Sequence, residues 1–110
     1  PCILPTTKSS HCLPYTLWQV GEGGPDHAFW GRAEDYTVAR PAYKINAQNP
    51  GSDLAAETAA ALASAAILFK DENPSYSTEL LTHAKQIFTF ADTYRGKYSD
   101  AITDAQVFYK

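Results

Sequence analysis

The sequence predicts an all-α fold, carried here by one antiparallel helical hairpin with long loops. Three observations predict it. Residues 54–69 form a helical run built largely of alanine, and residues 75–94 carry apolar side chains at spacings of three and four. A short polar turn, "KDENPSY", separates the two runs and leaves room only for an antiparallel return.

Each stretch can be read in order. Residues 1–18 hold three prolines and no sustained period, and read as irregular. "GEGGPDH" (21–27) reads as a loop, because three glycines and a proline suit a tight backbone path. "FWGRAEDYTVARPAYKI" (29–45) reads as mostly loop with a short helical turn near 33–36, and Pro41 disfavours helix at Arg40. "NPGSD" then announces the first helix. Pro50 and Gly51 make a turn, Ser52 or Asp53 offers a cap, and Asp53 and Glu57 suit the positive end of the helix dipole. Leu54, Ala61, Leu62, Ala65 and Phe69 mark an apolar stripe, and alanines cover much of the remainder.

The second helix is amphipathic. Leu80, Ala84, Ile87, Ala91 and Tyr94 form its stripe, Leu81 and Phe88 widen it, and Glu79, Lys85, Gln86 and Asp92 face away. Gly96 is its expected stop, with Arg95 at the negative dipole end. Alanine favours helix but buries little area, so an alanine-rich helix suits a site that neighbours approach closely. A helix that is nearly apolar all round is covered on several sides. The first helix therefore reads as inner and the second as outer, as in a helical barrel or a solenoid. One hairpin closes neither, and no second copy of it appears.

Composition narrows the function classes. Nine basic against 12 acidic residues leave a net charge of −3, which argues against nucleic acid and anionic membrane as partners. No run is long and apolar enough for a membrane span. The chain contains no methionine, so it reads as a processed product or a fragment, and "PCILPTT" does not look like a signal peptide. Cys2 and Cys12 either pair in an oxidising compartment or remain free thiols, and His11 beside Cys12 lacks the spacing of a zinc site.

Asp26 and His27, beside Trp30, are the first chemical candidates. A glycine loop presenting Asp-His next to an indole suits a ligand cleft, while a loop histidine is more often a structural hydrogen-bonding group and a tryptophan more often core. His83, beside the stripe of the second helix, reads as structural. The acid pairs Glu34/Asp35, Asp71/Glu72 and Asp100/Asp104 read as surface acids, because glycoside hydrolysis needs two carboxylates facing each other across a cleft. No phosphate loop, metal motif or Ser-His-Asp order stands out.

Taken together, "QVGEGGPDHAFWG", "ARPAYKINAQNPGSDLAAETAAALASAAILFK", "YSTELLTHAKQIFTFADTYRGKYSD" and "DAQVFYK" resemble the middle of the catalytic domain of glycoside hydrolase family 9, the cellulose-degrading endoglucanases. The resemblance is continuous from about residue 17 to 110. It divides the chain into an irregular segment, 1–16, and a catalytic-domain fragment, 17–110. It implies an (α/α)6 barrel of six hairpins, and a secreted, extracellular endo-β-1,4-glucanase that hydrolyses internal β-1,4-glucosidic bonds of cellulose with inversion. In that reaction an aspartate base activates water and a glutamate acid protonates the leaving oxygen.

By the same resemblance both carboxylates lie outside this chain: the base in an upstream Asp-Ala-Gly-Asp motif, the acid far downstream. No catalytic or metal residue is therefore assigned, and the chain itself is expected to be inactive and free of cofactor. Calcium in some members would be held by a segment that begins just after Lys110. His27 and Trp30 match the family's Asp-His-x-x-Trp cleft motif and Tyr109 the aromatic of its Phe-Tyr pair, which implies three substrate-binding residues for a β-1,4-glucan. The full-length enzyme is expected to be a monomer. The alternative is a non-catalytic helical-hairpin module that binds a sugar or a protein partner.

Overall fold

A computed structural model describes residues 15–109. Cys2, Cys12 and most of segment 1–16 lie outside those residues. The element order is β1 (Tyr15–Val20), α1 (Gly23–Ala28), a 3-10 turn (Ala33–Asp35), β2 (Ala42–Asn46), α2 (Ser52–Leu68), α3 (Pro74–Thr93), α4 (Tyr98–Ala101) and a second 3-10 turn (Thr103–Val107).

The hairpin forms where the two periods place it, within two residues at each end. Asn73 caps α3, its side chain accepting from the Tyr76 N–H, and Pro74 takes the first turn, where a missing N–H costs nothing. Ser77 Oγ reaches back to the Ala66 carbonyl at 2.6 Å, and Ser52 N donates to the Gly96 carbonyl at 2.8 Å. Both ends of the pair are thereby closed, and the helices run antiparallel.

Their seam is built mostly of alanine, with Leu80 and Ile87 as its large residues. Ala55, Ala59 and Ala66 are the buried residues of α2, and Leu80, Ala84, Ile87 and Ala91 are those of α3. The α3 stripe is the expected one as far as Ala91; Tyr94 is exposed, as are Leu81 and Phe88. On α2 the expected stripe is corrected. Leu54, Leu62 and Ala65 are half-buried, Leu62 against the core, whereas Ala61 and Phe69 are exposed. Leu81 and Phe88 border an open apolar groove of about 640 Å³ with Ala56, Ala60, Ala63 and Thr89. Among the described residues, no helix is long and apolar enough to cross a membrane.

Two loops expected from the sequence are regular. Tyr15–Val20 pairs antiparallel with Ala42–Asn46, Tyr15 opposite Asn46 and Val20 opposite Ala42, with an irregularity between Leu17 and Gln19. Irregular structure across residues 15–18 and loop across 42–45 are thus corrected to a two-stranded ribbon. Its β2 strand alternates, and Ile45 is fully buried against the hairpin in a core with Ala55, Ala59, Ile87, Ala91 and Ile102. "GEGGPDH" is corrected likewise: Gly23–Ala28 is a six-residue helix, and Pro25 sits in its first turn, where it costs no hydrogen bond. The helical turn near 33–36 is present as the 3-10 turn.

Ser52 and Asp53 do not cap α2. Gly51 occupies the cap position, without a side-chain bond. Ser52 Oγ instead pairs with the backbone of Gly96, and Asp53 Oδ1 accepts from the Tyr98 N–H at 3.0 Å. These side chains tie the start of α2 to the chain that leaves α3, so residues 96–109 return to the end of the hairpin where residues 15–51 lie.

Candidate functional site

The site is assembled on that end, between α1 and the residues that follow α4. The chain leaves β1 through Gly21, whose φ of +94° is open to glycine at little cost and whose N–H donates to the Pro41 carbonyl at 2.8 Å. Asp104 then fixes the start of α1: its Oδ2 accepts from the Gly23 N–H at 3.0 Å and from Gln19 Nε2 at 2.9 Å. Asp104 is therefore a half-buried tie and not the surface acid that its spacing suggested. Asp35 fits the surface reading, in an exposed pair with Arg32.

His27 is exposed and held at two points. Its Nδ1 lies 2.7 Å from the Gly23 carbonyl. A carbonyl only accepts, so Nδ1 carries the proton, and in the neutral ring Nε2 is left as an acceptor. The imidazole stacks on Phe108, centroids 4.7 Å apart and planes within 16°. Phe108 in turn sits over Gly23, where a Cβ would fall 2.1 Å from its ring. Phe108 is the contact that sequence reasoning missed; the Phe-Tyr dipeptide was its only signal.

Tyr109 follows Phe108 and leans on Tyr98, centroids 4.9 Å apart. Tyr98 is bound through its N–H to Asp53, so Tyr109 lies at the α2 end that carries Ser52 and Asp53. The fold therefore brings His27 and the Phe108-Tyr109 pair to one place across most of the chain's length. Trp30 lies three residues beyond His27, with 99% of its surface exposed within this segment. His83 sits on the helix surface beside Gln86 and Glu79, apart from this constellation.

The site combines aromatic faces with hydrogen-bonding groups. It offers an unobstructed indole, an imidazole acceptor and a tyrosine, the groups that cover a sugar's apolar face and engage its hydroxyls. Two nearby carboxylates are engaged elsewhere. Asp26 binds Tyr36 at 2.6 Å and Arg40 at 3.3 Å, and Asp104 holds Gly23 and Gln19. The Tyr36 hydroxyl is held above its ordinary pKa chiefly by the hydrogen bond to Asp26. Among the described residues, no three His, Cys, Asp or Glu side chains gather to hold a metal ion.

The comparisons with known proteins agree with one another. Endoglucanase B of Cellulomonas fimi is 58% identical over 102 residues, which is 92% of this chain and 10% of that protein. Endoglucanase A of Bacillus pumilus is 54% identical over 101 residues, 91% of this chain and 15% of that protein. Among solved structures, the endoglucanase of the termite Nasutitermes takasagoensis matches with a TM-score of 0.84 and 64% identity, over 87% of this chain and 22% of its own. The cellulase Cel9M of C. cellulolyticum matches with a TM-score of 0.77 and 34% identity, over 88% of this chain and 22% of its own. This chain thus spans a tenth to about a fifth of these relatives, and its hairpin is one part of an (α/α)6 barrel. The family model for glycosyl hydrolase family 9 matches residues 6–110, and the chain belongs to that family.

Proposed function

We propose that this chain is a segment of a secreted endo-β-1,4-glucanase that cuts internal bonds of cellulose with inversion, and that it supplies part of the glucan cleft through His27, Trp30 and Tyr109. The observation that carries this reading is the seating of His27. Its ring is clamped between the Gly23 carbonyl and Phe108, next to Tyr109, with a bare indole three residues away. Such a set binds a sugar ring and leaves proton transfer to carboxylates elsewhere in the full-length enzyme. Calcium in that enzyme would belong to residues beyond this segment. Its substrate is a β-1,4-glucan, with neither nucleic acid nor membrane as partner, and it acts as a monomer.

Taken by itself, the segment is closer to a non-catalytic module that binds a sugar or a protein partner, because by the family resemblance both catalytic carboxylates lie outside it. The test uses the full-length enzyme. His27→Ala and Trp30→Ala should each weaken turnover of long glucans by about 1–3 kcal/mol of transition-state stabilisation. Kinetics are read beside a thermal melt for each variant. Wild-type turnover in folded variants would rule the cleft assignment out.

A further inference from the structure

The stretch from Asp26 to Trp30 faces two ways. Asp26 and Phe29, three residues apart, turn toward the rest of the chain. Asp26 Oδ1 accepts from the Tyr36 hydroxyl at 2.6 Å, and the Phe29 ring meets the same Tyr36 edge-on, centroids 4.9 Å apart. His27 and Trp30, also three residues apart, are exposed. One pair anchors and the other displays.

The anchor matters because α1 has so little else. It is six residues long, and none of them is buried. A helix this short does not persist on its own backbone bonds. Asp104 fixes its start through the Gly23 N–H. Asp26 holds its middle: Oδ2 receives Arg40 Nη2 at 3.3 Å, and the same nitrogen donates to the Val20 carbonyl, the last residue of β1, at 3.2 Å. Arg40 also stands 5.8 Å from the centre of the Tyr36 ring. Gly21 leaves the seat open, since a Cβ there would fall 2.8 Å from Asp26 Oδ2 and 3.1 Å from Arg40 Nε. The ion pair is largely exposed and contributes little by itself. The Tyr36 hydroxyl donating to a carboxylate is the stronger contact, and it aims the turn.

We propose that Asp26 is a positioning residue for glucan binding: held between Tyr36 and Arg40, it sets the angle at which α1 and the turn that follows it present His27 and Trp30. This rests on the reading of His27 and Trp30 as glucan contacts. Asp26 itself touches no sugar, so its loss should loosen the display without removing any contacting group.

The experiment measures kinetics of the full-length enzyme on cellopentaose, with a thermal melt for every variant. D26A should raise KM by about 5–20-fold while kcat changes by less than about threefold, the pattern of lost binding geometry. D26N keeps an acceptor for Tyr36 but loses the charge facing Arg40, and should fall between wild type and D26A. Added to the H27A/W30A background, D26A should leave KM where it was, because there is nothing left to aim.

A merely structural role would instead multiply into that background, and that result overturns the proposal. H27A/W30A with impaired KM beside D26A with wild-type KM overturns it alone, and leaves the cleft reading standing. H27A/W30A with wild-type KM sinks the cleft reading and this proposal with it. Should D26A not fold, Y36F carries the same comparison: it removes the hydrogen bond but keeps the ring against Phe29, and wild-type KM in folded Y36F and D26N overturns the proposal.

Discussion

The α2–α3 hairpin buries Ala55, Ala59, Ala66, Leu80, Ala84, Ile87 and Ala91 along one seam, whereas α1 buries none of its six residues. The hairpin is held by area removed from water and by close packing, which need many residues and no particular one. The α1 turn is held by named contacts: Asp104 on Gly23, Tyr36 and Arg40 on Asp26, Phe108 on His27. Regularity of period and precision of placement thus belong to different parts of the molecule. The part that displays His27 and Trp30 is the part with few interchangeable contacts.

Substitutions should separate the two regions. The largest effect is expected in the hairpin. Ile87 is fully buried, and Ile87→Ala should cost about 2–5 kcal/mol in unfolding of the full-length enzyme, from lost transfer energy and the cavity left behind. A cost below 1 kcal/mol would mean that the seam collapses around the gap, and the contrast with α1 would weaken.

A smaller effect, on the α1 side, comes with alkali. Tyr36 is raised above the ordinary value of 10.0, first by its hydrogen bond to Asp26, then by burial and the Asp26 charge, with Arg40 opposing. Tyr43 is raised by burial and then by Glu22 and Asp104, and Tyr98 by burial and then by Tyr109, Asp53 and Glu57. A raised pKa means that the folded state favours the protonated hydroxyl. That stabilisation is complete below about pH 10 and is lost as pH climbs through the raised values. Thermal melts should therefore fall above about pH 10, and less steeply in Tyr36→Phe than in wild type. Identical slopes would remove the Tyr36–Asp26 bond from the account.

The smallest effect on stability is expected at Trp30. Trp30 is 99% exposed within this segment, so on the cleft reading Trp30→Ala should leave the melting free energy of the full-length enzyme within about ±0.5 kcal/mol while glucan turnover falls. A large loss of stability would return Trp30 to the structural side of the comparison.

What the sequence disclosed follows the same division. Helical period is a local signal, so both helices of the hairpin could be read to within two residues of their ends. The β-ribbon could not, because Tyr15–Val20 finds its partner more than twenty residues away and β2 is only five residues long. α1 was hidden by its glycines, which favour a loop until Asp104 and Asp26 tie its start and middle down. Ser52 and Asp53 look like caps by position, yet they bond to Gly96 and Tyr98, contacts that no local rule encodes. His27, Trp30 and Tyr109 were visible as family motifs, while the Phe108 stack and the Arg40 anchor needed three dimensions.

The closure of Ser52 on Gly96 sets the hairpin's entrance beside its exit. With α2 17 residues long, the turn at residues 69–73 lies about 25 Å from the start of α2. On the cleft reading, that turn is the part of the hairpin farthest from recognition. Asn73, which caps α3, and Phe69, whose ring meets Tyr76, need to stay. The Asn73 N–H also bonds the Phe69 carbonyl at 2.9 Å across the exposed span from Lys70 to Glu72, so the span's side chains, not its length, are the place for an epitope or a surface tether. On the cleft reading, a tether on those side chains starts from the end of the hairpin opposite His27 and Tyr109.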